Sequence, residues 1–497
     1  MSALSTVILA LILAALVFLY NHLARELKEI DPLLLNNQTS ISETRKSCES
    51  AIYRSVDVPH GVSVTRGLNL RSGYKIRDGC LKDVWYCGMK NRDDKLKSTE
   101  IVLGGKSFKI GEVNYILHQI ALKFSNFENI GIYGDLMESP ELLLVVWSCF
   151  FISDKTVVYF HSKDDLKSKI ETPVFVLVTS SKYKSDIDST SFNETIDIKP
   201  LLSTFDKEAT KEFKYDPNKD FHHVNNHSFS YVVDGNETKF FQINFVSSIA
   251  SKLLSIPSTK SWTKDDNMLI SYTQTTFSNN NIIFETLCGL VSNLNRIELV
   301  NPDNISNLHE LSQFKSSILC TDSKILKKLC TNSKKSFWQS FKLQRSEYFN
   351  SLGYFNTFGK IDKSLKLRII YVAQLSPPLS PQLSSLMSNF CKSLTGSLIV
   401  REVYTNFTIG PILKTNIFDF RTVQNHSLTL LGVPANSVEL KTVNFAECTN
   451  QGVIYVRGMS LGKSDNLHAD DEFWVETDII GKFARDGCFY GSIFKMH

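Results

Sequence analysis

The feature that most constrains this chain is a steady alternation of apolar segments with two different periods. "SFKIGEVNYILHQIALKF" places Ile110, Val113, Ile116, Leu117 and Ile120 at helical spacing, an amphipathic helix of about four turns. "NIGIYGD" follows as a short strand closing on Gly134-Asp135, then the helical "SPELLLVVWSCFF", the strand "KTVVYF", another helix, and the strand "TPVFVLVTS". A polar stretch from Ser180 to His227 interrupts the rhythm. It resumes with "SFSYVVDG", a helix through "QINFVSSIASKLL" and the strand "NMLISYTQ". A helical, Lys-rich section (323–345) precedes two further strands, "LRIIYVAQL" and "GSLIVREVY". Helix and strand alternating in this way predict βαβ units and parallel sheets, an α/β fold. The last 70 or so residues instead read as short strands and turns, "SVELKTVN", "GVIYVRGM" and "FWVETDII", which predicts a small β-rich subdomain over about 425–497.

At 497 residues the chain exceeds one ordinary core, so two α/β subdomains plus the β-rich one are expected over 61–497. The 55 Lys+Arg against 51 Asp+Glu form no basic block, which leaves nucleic-acid binding without electrostatic support. The N-terminus, "MSALSTVILALILAALVFLYNHLA", carries no charge before Arg25. It reads as a transmembrane signal-anchor helix over 1–24, because about 20 apolar residues span a bilayer core. Arg25 and Lys28 then orient the body to the cytoplasm by the positive-inside rule. An uncleaved N-terminal anchor predicts a single-pass protein of the endoplasmic reticulum membrane, and residues 25–60 a polar juxtamembrane tether. The ten cysteines are scattered without a CxxC pair and are expected to be free. His222, His223 and His227 in "FHHVNNH" have no acidic or Cys partner at ligand spacing and read as a solvated loop. No metal site is expected.

Five segments, in order, resemble the adenylate-forming (AMP-binding) superfamily, and within it most the long-chain fatty acyl-CoA synthetases. They are "GCLKDVW" through "NIGIYGD"; "LRIIYVAQLSPPLSPQLSSLMSNFC"; "LLGVPANSVELKTVN", with Gly432, Pro434, Glu439 and Lys441; "NQGVIYVRGMSLGK", with Arg457 and Gly458; and "WVETDIIGKFARDG". The resemblance spans roughly residues 75–491. It implies that family's large N-terminal domain. The family's chemistry is ATP-dependent activation of a carboxylate as an acyl-adenylate, then transfer to coenzyme A. Catalysis of that kind rests on stabilising phosphate charge.

Four devices supply that stabilisation in the family, and each is altered here. The phosphate-wrapping loop corresponds to "YVVDGNETKFF", where Gly235, Thr238 and Lys239 survive as nucleotide-binding remnants. Asp234 and Glu237 add negative charge, and like charges near 5 Å repel by about 3 kcal/mol at an effective dielectric near 20. The stretch is predicted to be an acidic β-turn. The aromatic-Gly-x-Thr-Glu motif reads "YTNFT": Tyr404 is placed to stack on adenine and Thr408 to touch phosphate, but the Mg²⁺-holding Glu is gone. Asp478 matches the Asp that takes the ribose hydroxyls, while the Arg that follows it is missing. The mobile C-terminal lid is expected to be absent, since the chain ends at the hinge. No catalytic residue is therefore assigned. The resemblance predicts a catalytically degenerate synthetase-like protein of lipid metabolism that binds a fatty acyl chain or acyl-CoA, a nucleotide, or a protein over the surface the lid would cover. The alternative is a working long-chain fatty acid–CoA ligase, using ATP/AMP and Mg²⁺ with a lid supplied in trans.

Overall fold

The computed structural model describes residues 28–72, 75–89, 98–168, 170–187, 192–203, 213–217, 225–275, 278–333, 336–376, 382–421, 428–446, 451–464, 470 and 472–493, together with residues 7 and 10–19. His222 and His223 lie outside these residues. Among the described residues, no group of His, Cys, Asp or Glu is arranged to hold a metal ion.

Two sheets carry the molecule. In the six-stranded sheet, Glu194–Asp197, Val176–Thr179, Asn129–Tyr133, Thr156–Phe160 and His227–Val233 run parallel, and Asn236–Phe241 closes it antiparallel to the last of these. A fifteen-stranded sheet has a parallel half built from Glu100–Leu103, Arg296–Leu299, Asn267–Ser271, Ile318–Asp322, Ile369–Ser376 and Leu398–Thr405. These strands are mostly β-branched and apolar, as expected where helices cover both faces, with charges at Arg296, Glu298, Arg401 and Glu402. Gln242–Leu254 and Asn279–Val291 pack with Leu81–Met89, Ile110–Lys123 and Leu142–Ser148 into one large core. A second core lies under Ser323–Thr331, Phe337–Ser351 and Ser385–Thr395 on the other side of the parallel half.

Two expectations are corrected. Residues 36–60 are not a solvated tether: Thr39–Ile41 pairs with Tyr53–Ser55, and Tyr53 registers against Leu440. These strands extend the large sheet beyond its antiparallel half, and at the other end of that half Leu413–Lys414 pairs with both Leu398–Thr405 and Thr429–Pro434, so the β-rich region is continuous with the α/β body. The helix expected after Thr156–Phe160 is a single 3-10 turn, Asp165–Lys167. Asp165 accepts from Ser162 N at 2.9 Å and from the Ser162 hydroxyl at 2.7 Å, which holds the local backbone in a tight turn.

Of the segment expected to be a membrane anchor, residues 10–19 are helical. Residues 1–6, 8–9 and 20–24 lie outside the described ones. No described helix is long and apolar enough to cross a membrane.

Candidate functional site

The segment expected to correspond to a phosphate loop is a two-residue hairpin. Asp234 (φ 51°) and Gly235 (φ 77°) turn the chain between His227–Val233 and Asn236–Phe241, with Val233 registered against Asn236. Two positive φ values and an Asp-Gly pair are the requirements of a type I′ turn. Its polar groups are already committed. Gly235 N donates to Asp165 Oδ1 at 2.8 Å. Glu237 accepts from the Thr172 hydroxyl (2.5 Å), the Ser230 hydroxyl (2.5 Å) and the backbone N–H of Glu171 and Thr172. Lys239 is ion-paired with Glu171. A carboxylate, that of Asp165, thus occupies the donor at the turn.

A backbone strap, Met459–Lys463, ties this hairpin to the 405–409 turn. Lys239 N donates to Lys463 O at 2.7 Å, and Lys463 N returns to Lys239 O at 2.8 Å. On the strap's other side, Gly462 N donates to Phe407 O and Ile409 N to Ser460 O, both at 3.0 Å. Asn244 Nδ2 braces it from the helix below, reaching Met459 O and Leu461 O. Thr238, Lys239 and Thr408 are therefore gathered along one strap. Thr408 is buried, and its hydroxyl lies 2.9 Å from that of Thr405.

The other expected site residues go elsewhere. Asp478 sits on the exposed face of strand Val475–Phe483. Tyr404 is 1% exposed, and its hydroxyl lies 2.7 Å from Glu402 Oε2 and 3.0 Å from Glu285 Oε1. A ring so enclosed offers no open face to a base. The residues present do not fit a Mg²⁺–polyphosphate: Glu402, the carboxylate before the "YTNFT" turn, is turned inward, and hairpin and strap consume their own donors.

Beneath Tyr404 lies a buried charge cluster that nothing in the motif pattern announced. Lys252 Nζ is 2.5 Å from Glu285 Oε1 and 3.0 Å from Glu402 Oε2, all three residues being inaccessible. Burial alone would lower the Lys252 ammonium, but the two carboxylates outweigh it and hold its pKa well above the ordinary value. Burial pushes Glu285 upward, against the pull of Lys252. Lys252 also faces the Tyr371 ring at 4.1 Å. A sequence signal did exist: Phe245, Ile249 and Lys252 share one helical stripe, so the lysine was bound to face the core.

Adjoining the cluster is a cavity of about 390 Å³, partly open, within the about 300–1,000 Å³ of small-molecule sites. Its polar wall is Lys252, Glu402, Lys414 and Asp57; its apolar wall includes Ile30, Leu34, Ile256, Val400 and Ile417. Lys414 Nζ is shielded from solvent and meets no hydrogen-bond acceptor among the described residues. Burial lowers its pKa to about 8, although Asp57 and Glu402 pull the other way. At the carboxyl ends of the parallel strands, Ser271, Thr321 and Gln374 are also buried with polar atoms unmatched among the described residues.

No protein-family model matches the chain. It is 26% identical over 551 residues to an uncharacterised Saccharomyces cerevisiae protein, YHR045W, with 97% of each chain covered. Among solved structures it is similar to the o-succinylbenzoate CoA synthetase MenE of Bacillus subtilis. The TM-score is 0.58 at 14% identity, over 83% of this chain and 78% of that one. The same enzyme in complex with ATP and magnesium gives 0.58 at 14%, over 82% and 78%. The nonribosomal peptide synthetase FmoA3 gives 0.56 at 11%, over 84% of this chain and 42% of that one. At such identities the likeness establishes the fold: a mixed α/β architecture matching the N-terminal domain of adenylate-forming enzymes.

Proposed function

We propose that this chain is a membrane-anchored protein of adenylate-forming fold that binds an apolar carboxylate, a fatty acyl chain, without activating it. One observation carries the reading. The loop that would have to cradle a triphosphate is a hairpin whose donors Gly235 N and Lys239 Nζ are met by Asp165 and Glu171, and whose Glu237 carboxylate already accepts from Thr172 and Ser230. Bringing a polyphosphate there would break those bonds and set its charge against Asp165, Asp234 and Glu237. The ligand reading is supported by the cavity at Lys414: a shielded amine without an acceptor calls for one, and the aliphatic wall suits a hydrocarbon tail. A second candidate occupant is a nucleoside without its phosphates, suggested by the likeness in fold to enzymes solved with ATP and with AMP.

Membrane anchoring is supported by the N-terminal helix. Leu11, Ile12, Leu13, Leu16, Val17 and Phe18 are each more than half exposed, and at 100° per residue these six positions go round the whole helix. The endoplasmic reticulum, with the body cytoplasmic, is the membrane this reading assigns.

The full chain given ATP, Mg²⁺ and oleate is expected to support no pyrophosphate exchange. Robust exchange abolished by Asp478→Ala would instead establish the ligase alternative. In the same preparation, a thermal-shift series from octanoate to palmitate should raise the melting temperature, and Lys414→Met should remove the rise. A shift with AMP alone would favour the nucleoside, and no shift with either would defeat both ligand readings.

A further inference from the structure

The helix Phe337–Ser351 turns its largest aromatic side chains outward. Ser336 caps it, its Oγ accepting from Gln339 N, while Gln339 Oε1 accepts from Ser336 N at 2.8 Å. The face turned to the protein is modest: Leu343, Ser346 and Asn350, with Asn350 Nδ2 donating to Ser393 Oγ at 2.8 Å. The outward face holds the large aromatics. Phe337 is 81% exposed, Trp338 72%, Phe341 60% and Tyr348 63%. Lys342 and Arg345 stand between them, also exposed. Isolated exposed apolar side chains are ordinary, but four large aromatics on one helix face mark an interaction surface. Aromatic rings interleaved with cations are the composition of a helix lying at a bilayer interface, where rings sit at headgroup level and cations meet lipid phosphate.

The position of the chain's N-terminal segment selects the occupant. Lys28, shortly after the apolar helix, lies with Nζ 5.5 Å from the centre of the Tyr354 ring, and its side chain would meet a Cβ at Gly353. Tyr354 and Gly353 directly follow the aromatic helix. Lys28, the first described residue after the apolar helix, therefore lies beside the C-terminal end of Phe337–Ser351. We infer that this helix lies in the interface of the same bilayer that holds the N-terminal segment, seating the body on the membrane through Phe337, Trp338, Phe341 and Tyr348. The inference rests on the membrane reading above, and it adds a second, peripheral contact that fixes the body's orientation.

Trp338 is its own probe. Of the five tryptophans, Trp85, Trp147 and Trp474 are fully buried and Trp262 is nearly so. Full-length protein reconstituted with phosphatidylcholine vesicles should co-float with them, and brominated phosphatidylcholine should quench its tryptophan fluorescence. Trp338→Phe, which keeps an aromatic ring at an exposed position, should remove most of that quenching without altering flotation. Flotation with quenching that Trp338→Phe leaves unchanged would leave the anchor standing and overturn the docking of this helix. Loss of flotation would overturn both. Trp338 shielded from acrylamide yet unquenched by brominated lipid would identify a protein partner or a second copy on this face, and would also overturn the proposal.

Discussion

Lys252 is the residue whose removal should be felt most. Its ammonium is buried between Glu285 and Glu402, with the Tyr404 hydroxyl within hydrogen-bond distance of both carboxylates. Breaking such a group by deleting one partner leaves an uncompensated buried charge, at a cost of about 3–5 kcal/mol. Lys252→Met should lower the unfolding free energy by that amount, read as a lower urea midpoint with an unchanged slope, and Glu402→Gln added to it should restore part of the loss. A neutral Lys252→Met would mean that the cluster is not charge-paired. Lys414 behaves oppositely. Its folded pKa, about 8, lies below the ordinary 10.5 because burial disfavours the ammonium. Between those values the unfolded chain binds more protons, so stability rises with pH there; below about pH 8 the full penalty applies, on the order of 3 kcal/mol. Lys414→Met should accordingly be more stable than the wild type at pH 7, with the advantage fading as pH climbs toward 10.5. An advantage independent of pH would show that the amine is solvated.

At the scale of the element, the strap decides what the hairpin can do. Gly462 passes so close to the hairpin that a Cβ there would sit 2.6 Å from Thr238 Cγ2 and 2.7 Å from Phe240 Cε1. Gly462→Val should push the strap away from Lys239 and Phe407, at a cost of about 1–3 kcal/mol. The expected result is a lower melting temperature with faster proteolysis between 451 and 464; unchanged stability would count against strap–hairpin packing. The hairpin itself was legible, because Asp234-Gly235 between two apolar runs has few other uses. The strap was not, since its bonds are backbone to backbone and carry no residue signature. Nor was the aromatic face of Phe337–Ser351. The Lys-rich stretch announced a helix, but which side would meet the core depends on the Ser385–Thr395 helix against which it packs.

Across the whole molecule, the parallel halves followed from local pattern, whereas the joining of parts did not. Residues 36–60 look polar enough for a tether, yet Gln38, Thr39, Ile52 and Ser55 are buried. Gln38 N donates to Asp486 O and Ser50 N to Thr442 O, contacts that link the N-terminal strands to segments some 400 residues away. A strand of three residues has no periodicity to read, and its stability comes wholly from the sheet edge it meets.

What the sequence determined by itself was the succession of helices and strands, the α/β class and the presence of an Asp-Gly turn where phosphate donors would be needed. Each depends on neighbours within a few residues, through hydrophobic period and backbone conformation. Only the tertiary structure decided that Tyr404 faces inward, that Lys252 meets Glu285 and Glu402, that Lys414 finds no acceptor among the described residues beside a cavity, and that Lys28 lies beside the end of a helix with exposed aromatics. Those facts depend on which surfaces meet across the core, and burial acts on charge and polarity only once the surfaces have met.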